Sequence, residues 1–184
     1  EFIRRNPHIS ISISCHSTND TLALLEDDKI DIGLVGKPDN MRNLQFEYVE
    51  EIEDIFVATK EYLRNLHARG VSKDQILPNS TLMLLDKNNM TRQYIDDYLQ
   101  ENQIQVRDSI DISSMDLLID FARIGVGVAC VIKSFVKKDL ADGSLMEIPL
   151  GIPIHKREVG FAYKAGTKPS KSLAAFIRFY REQQ

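Results

Sequence analysis

Residues 9 to 14 read ISISIS, a strict alternation of apolar and small polar positions. That is the period of a strand with two unlike faces, Ile9, Ile11 and Ile13 on one and Ser10, Ser12 and Ser14 on the other. The stretch TNDTLALLEDD has helical spacing, with Leu22 and Leu25 three apart. IDIGLVG (30–36) is a short apolar run ending in glycine, which predicts a buried strand. Further strands are predicted at 46–50, 54–59, 80–85, 104–113, 126–132 and 157–164. TRQYIDDYLQEN gathers Ile95, Tyr98 and Leu99 on one helical face. SMDLLIDFARIG does the same with Leu118, Phe121 and Ala122, and Gly125 is its C-terminal stop. SFVKKDLADGSL predicts a short helix ending at Gly143. The last helix carries Leu173, Phe176, Ile177 and Tyr180 on its apolar stripe.

Strands alternating with helices predict an α/β fold of mainly parallel sheets covered on both faces. The polar stretch EYLRNLHARGVSKDQILPNS separates two such groups and reads as a crossover between lobes. Strands 54–59 and 157–164 are then the paired connectors. The expected organisation is one lobe from 1–58 plus 159–184 and a second from 59–158.

Composition narrows the functions this allows. Across 184 residues, 23 Lys and Arg stand against 27 Asp and Glu, a net charge of −4, and no basic run exceeds two residues. A segment that held nucleic acid by itself would carry a basic patch or stripe, so direct DNA contact by this chain is not expected. No run of about 18 apolar residues exists to span a membrane. Cys15 and Cys130 form no CxxC, and His8, His16, His67 and His155 are scattered, so neither a metal nor another cofactor is expected. The opening EFIRRNPHIS reads as the end of a helix whose beginning lies upstream.

In open α/β sheets, ligands sit beyond the carboxyl ends of the strands, beside helix N-termini. Three strand-to-helix turns qualify: His16 to Asp20, Asp86 to Arg92 and Ile112 to Asp116. Two carry the S-x-x-D form of a capping box, Ser17 to Asp20 and Ser113 to Asp116. One such turn would simply cap a helix. Three facing one cleft would favour an anion or carboxylate through free N–H groups and helix dipoles. Arg92 would add a bidentate fork, or else pair with Asp96 four residues on. No nucleophile elbow, P-loop or dinucleotide fingerprint is present, and the acid pairs Asp27-Asp28, Glu50-Glu51 and Asp96-Asp97 read as solvated charge, so no catalytic residue and no enzyme is expected.

Order and spacing of several segments resemble the effector-binding domain of LysR-type transcriptional regulators. EFIRRNPHISISI is similar to that family's helix-Pro-strand opening, and LALLEDDKIDIGLVGKP to its short helix and Leu-Asp-Leu-Ala strand. DKNNMTRQYIDDYLQEN is similar to the E-x-G-S-G-T-R helix start, keeping Thr91 and Arg92 but with Asn89 for the usual serine. SSMDLLIDFARIGVGVACV is similar to the G-S-x-E-x-I…V-x-x-G-x-G-I-A segment. The resemblance implies two Rossmann-like lobes with a central cleft, periplasmic-binding-protein type II-like, binding a small-molecule effector. By position it implies effector contacts at Ser17, Thr18, Asn89, Thr91, Ser114 and Met115, with Arg92 added. It implies a cytoplasmic transcription factor, a homodimer of this domain and a homotetramer of the full-length regulator. DNA would be reached only through an N-terminal helix-turn-helix domain upstream. It also implies that the Ile9, Ile11, Ile13 face packs inside its own lobe, with the serine face toward a neighbouring element or subunit. A periplasmic solute-binding protein shares the two-lobe architecture and is the alternative, followed by an enzyme on the same fold.

Overall fold

A computed structural model describes residues 1–38, 40–41, 43–166 and 169–183. The chain divides into two compact units, 1–50 with 159–184, and 51–158.

In the first unit, α1 (Phe2–Arg5) and α2 (Thr18–Glu26) precede β1 (Gly33–Gly36) and β2 (Leu44–Ile52), the last two residues of which enter the second unit. The chain returns in β8 (Arg157–Lys164), the first two residues of which still belong to the second unit, and closes with α7 (Lys171–Arg181). The sheet order is β1-β8-β2, with β1 antiparallel to β8. Leu25, Val35, Leu44 and Ala162 form its buried cluster. Phe161 meets both Phe176 and Tyr180 edge-on, so β8 and α7 share an aromatic contact.

In the second unit the order is β5-β4-β6-β3-β7. Its strands are β3 (Asp54–Ala58), β4 (Thr81–Leu85), β5 (Asp108–Ile112), β6 (Val128–Ile132) and β7 (Met146–Glu147). Its helices are α3 (Lys60–Ala68), α4 (Met90–Glu101), α5 (Met115–Arg123) and α6 (Lys137–Asp142). Alternate residues of each central strand go to opposite faces. Ile55, Val57, Met83, Leu85, Ala129 and Val131 pack with Leu118, Ile119 and Ala122 of α5. Phe56, Ala58, Leu82, Leu84, Val128 and Cys130 pack with Ile95, Tyr98 and Leu99 of α4. Period-two alternation with a helix on each face is what makes these strands read as continuous apolar runs.

Gly127 lies where a Cβ would run into the Thr81 carbonyl, so only glycine lets the start of β6 come this close to β4. Gly125 has φ +78, and its N–H donates to Ala122 O while Val126 N–H donates to Phe121 O. Those two bonds close α5 in a left-handed stop, the role the sequence assigns to this glycine.

Several expectations are corrected. Residues 9–14 form no strand, and Ile11 and Ile13 are 43% and 87% exposed instead of packed inside. Alternation supplies two faces but not a partner, and among the described residues no strand pairs with this segment. The sheets are mixed: β4 runs parallel to β5 and β6, whereas β3 is antiparallel to β6 and β7. Parallel pairing follows where a helix links neighbouring strands, as in β4-α4-β5, and β3 has no such link to its neighbours. β5 is shorter than 104–113 because its ladder partner β4 is itself five residues long. The 61–80 stretch is not a crossover between lobes. It lies wholly in the second unit, where α3 and two 3-10 turns carry the chain from β3 to β4 and bury Leu66 and Leu77. β3 pairs within the second unit too, so the first boundary falls after residue 50 and not after 58.

Candidate functional site

β4 and β5 are parallel neighbours, so their carboxyl ends deliver the starts of α4 and α5 to one edge of the second unit's sheet. Asp86 N–H donates to Ile112 O at 3.1 Å and ties the two exits together. Asn89, Thr91, Ser114 and Met115 therefore gather at this edge. Ser17 and Thr18 stand in the first unit, at the start of α2.

Each start is capped by a side-chain oxygen. Asn89 Oδ1 accepts from Thr91 N–H at 2.9 Å, and Ser114 Oγ accepts from Leu117 N–H at 3.3 Å. Such caps are worth about 1 kcal/mol each. Asn89 Oδ1 takes the helix N–H on one of its two lone pairs, and its amide group still has two hydrogens to donate. The second capping box is corrected, because Ser114 and not Ser113 is the cap. Met115 is half-buried against the α5 face of the core. Ser17 accepts from Asp20 N–H at 3.2 Å and donates to Asp20 Oδ2 at 2.7 Å, so its hydroxyl is spent inside its own capping box. Thr18 Oγ1 accepts from Gly36 N–H at 3.3 Å, at the end of β1.

Arg92 is a framework residue. It is 6% exposed, its Nε donates to both Asp96 oxygens at 2.8 and 3.0 Å, and its Nη1 donates to Leu85 O at 2.8 Å and Asp111 Oδ1 at 2.5 Å. Burial works against its charge, and the carboxylates of Asp111 and Asp96 more than offset this, raising its pKa. Nε and Nη1 of the fork expected for a ligand are taken by protein oxygens that bind α4 to β4 and β5.

One pair at the same edge escaped the sequence. β3 is antiparallel to β6, so its first residue, Asp54, lies opposite Ile132 at the carboxyl end of β6. Asp54 is 2% exposed, and Arg157 grips it side-on, with Nε to Oδ2 at 2.7 Å and Nη2 to Oδ1 at 2.9 Å. Nη2 also donates to Thr91 Oγ1 at 3.2 Å, and the guanidinium carbon lies 5.2 Å from the Tyr94 ring centroid. Burial raises the pKa of Asp54, although Arg157 pulls against it. Burial pushes the thiol of Cys130 well up, keeping it protonated. The only sequence signal was an acid and an arginine each opening an apolar strand.

Among the described residues, no group of three or more His, Cys, Asp or Glu could hold a metal ion, and no helix is long and apolar enough to cross a membrane.

The chain is similar to the HTH-type transcriptional regulator YeiE of Escherichia coli (strain K12), 21% identical over 174 residues, covering 94% of this chain and 58% of that protein. It thus spans less than two thirds of this relative. Its fold matches the regulatory domain of CcmR from Synechocystis PCC6803 in complex with 2-PG, with TM-score 0.82 at 17% identity, over 99% of this chain and 86% of that one. It also matches the effector binding domain of QuiR in complex with shikimate, with TM-score 0.79 at 19% identity, over 100% and 88%. These likenesses show an α/β fold of the periplasmic-binding-protein type II-like kind. A family model described as LysR substrate binding domain matches residues 1–184, and the chain belongs to that family.

Proposed function

We propose that this chain is the ligand-sensing part of a LysR-type transcription factor and performs no chemistry of its own. The observation that carries the reading is the convergence of the α4 and α5 starts on one sheet edge, presenting Asn89, Thr91, Ser114 and Met115 together. Ser17 and Thr18 belong to the first unit, where Ser17 caps α2 and Thr18 Oγ1 accepts from Gly36 N–H. Arg92 holds the frame. The effector is a small polar molecule, as 2-PG and shikimate are for the CcmR and QuiR domains.

The signal is differential binding. A ligand that prefers one conformation shifts the population toward it by no more than its affinity difference between states. In the cytoplasm of a bacterium that shift would pass through a homodimer of this domain, within a homotetrameric regulator, to an upstream helix-turn-helix domain that meets DNA.

A thermal-shift screen of metabolites, including shikimate and 2-PG, tests the reading, since a ligand of the folded state raises its apparent stability. Thr91→Val should weaken binding of the hit about tenfold, the worth of one hydrogen bond near the upper end of the usual range, with little change in unfolding midpoint. A hit whose affinity ignores Thr91→Val, Asn89→Ala and Ser114→Ala alike would refute the site.

A further inference from the structure

We propose that the second unit carries a separate oxyanion site at the opposite end of its sheet, where Arg69 and Arg107 flank one cavity. Its ligand is a small molecule bearing a phosphate or carboxylate group. The inference goes beyond the effector-binding reading and does not depend on it.

β4 and β5 run parallel and in register, from Thr81 opposite Asp108 to Leu85 opposite Ile112. Their carboxyl ends lead to α4 and α5. Their amino ends form the other edge, roughly 13 Å away along the strands at about 3.3 Å per residue. At that edge a cavity of about 290 Å³ opens between Arg69 and Arg107, with Asn79, Ser80 and Asp108 in its lining. Arg69 is the residue that ends α3, and Arg107 immediately precedes β5. Ser80 is buried and donates to Leu77 O at 3.2 Å, and Asn79 Nδ2 donates to Gln75 O at 2.9 Å. Those bonds hold the turn that forms one wall.

The charges around this cavity are uncompensated. The second unit holds six arginines. Arg92, Arg123 and Arg157 are each paired with aspartates. Arg64, Arg69 and Arg107 have no carboxylate partner among the described residues. Two of these three line one cavity, and Arg64 lies on α3, the helix that runs into it. Lys60, four residues before Arg64 and on the same side of α3, is also exposed without an acid partner. Asp108 is the carboxylate in the lining, and it pairs with neither arginine. A single exposed arginine is ordinary solvated charge. Two guanidiniums on one hollow repel each other, and a purely structural role would favour an acid between them, as at the three paired arginines. An oxyanion supplies that counter-charge. Each guanidinium offers a planar fork of N–H donors that matches carboxylate or phosphate oxygens, and neither fork is committed to protein.

The test is nitrogen-15 NMR titration of the folded chain with inorganic phosphate and with citrate, against sodium chloride at matched ionic strength. The backbone amides of Arg69, Ser80 and Arg107 should shift saturably with phosphate or citrate and not with chloride. Whichever saturates at the lower concentration names the class. Arg69→Gln and Arg107→Gln should each weaken that binding about tenfold, the loss of one charge-assisted hydrogen bond. The urea midpoint should stay unchanged, because neither side chain holds a carboxylate of the fold. The double variant should abolish saturation. Shifts that rise linearly, or that chloride reproduces, would reduce both arginines to solvated charge and overturn the site. Saturable binding that both single variants keep at full affinity would overturn the assignment to these residues. The amides of Asn89 and Thr91 lie at the other edge of the sheet, so their response separates this site from the effector site.

Discussion

Arg123 holds Asp139 with Nε at 2.8 Å and Nη2 at 3.0 Å, joining the end of α5 to α6. These bonds keep the Asp139 carboxyl below its ordinary value, with burial opposing and Ser144 helping. A carboxylate whose folded pKa is depressed contributes stability that is present above its unfolded value, 3.8, and is lost as pH falls through the folded one. Asp54 has the opposite sign: its raised pKa removes stability as pH climbs from 3.8 through the folded value. Asp139→Asn should therefore destabilise at neutral pH, and the deficit should shrink below about pH 4. Urea unfolding at pH 7 and pH 3.5 measures this, and a deficit that does not narrow would refute the assignment. At this scale the sequence shows the Ser17 cap, which acts on an N–H three positions away, but sets the α5 cap one residue early, at Ser113 and not Ser114. It shows Arg92 to Asp96 because these too are near neighbours in the chain. It conceals Asp54 to Arg157, whose partners lie 103 positions apart and meet only once β3 has paired against β6.

Helix ends show the same local logic. α2, α3, α4 and α5 each close with paired bonds to the last turn, and the residue after the cap takes positive φ: Asp28, Gly70, Gln103 and Gly125. Glycine adopts this conformation without a Cβ clash, whereas another residue bears a cost of about 1–2 kcal/mol. Gln103, at φ 55, bears it in α4. Asp28 is a poorer test because it also pairs with Lys164. Gln103→Gly should stabilise the domain by up to about 1 kcal/mol after glycine's own entropic cost, read as a higher urea midpoint at unchanged slope; a lower midpoint would contradict the strain argument. Elements built from local signals were legible: α4, α5 and α7 with their apolar faces, and the β4-α4-β5-α5-β6 run with its parallel pairs. Elements defined by a distant partner were not. Residues 9–14 have as strict an alternation as any in the chain and form no ladder, while β3 takes an antiparallel place that no local pattern encodes.

The two units differ in how they hold themselves together. Residues 51–158 are continuous and carry both faces of a five-stranded sheet, with Phe56, Val57, Leu82, Met83, Leu118 and Val131 at 0% exposed or close to it. The first unit is split in sequence, and among its described residues the buried cluster is the smaller one, Leu25, Val35, Leu44 and Ala162 with half-buried neighbours. A continuous segment of about 100 residues with its own core is of the size that folds alone. Residues 51–158 expressed alone should therefore unfold cooperatively, and the two cysteines provide the measurement. Cys15 is exposed and Cys130 buried. In the whole chain a thiol reagent should label Cys15 at once and Cys130 only when the second unit opens, since the Cys130 thiol is both covered and held protonated. The fragment contains Cys130 alone, so its labelling in native buffer should stay slow and rise sharply across the urea transition. Labelling of the fragment at the rate of an open thiol would mean that the second unit depends on residues 1–50 or 159–184 for its fold, and that its core is not self-sufficient.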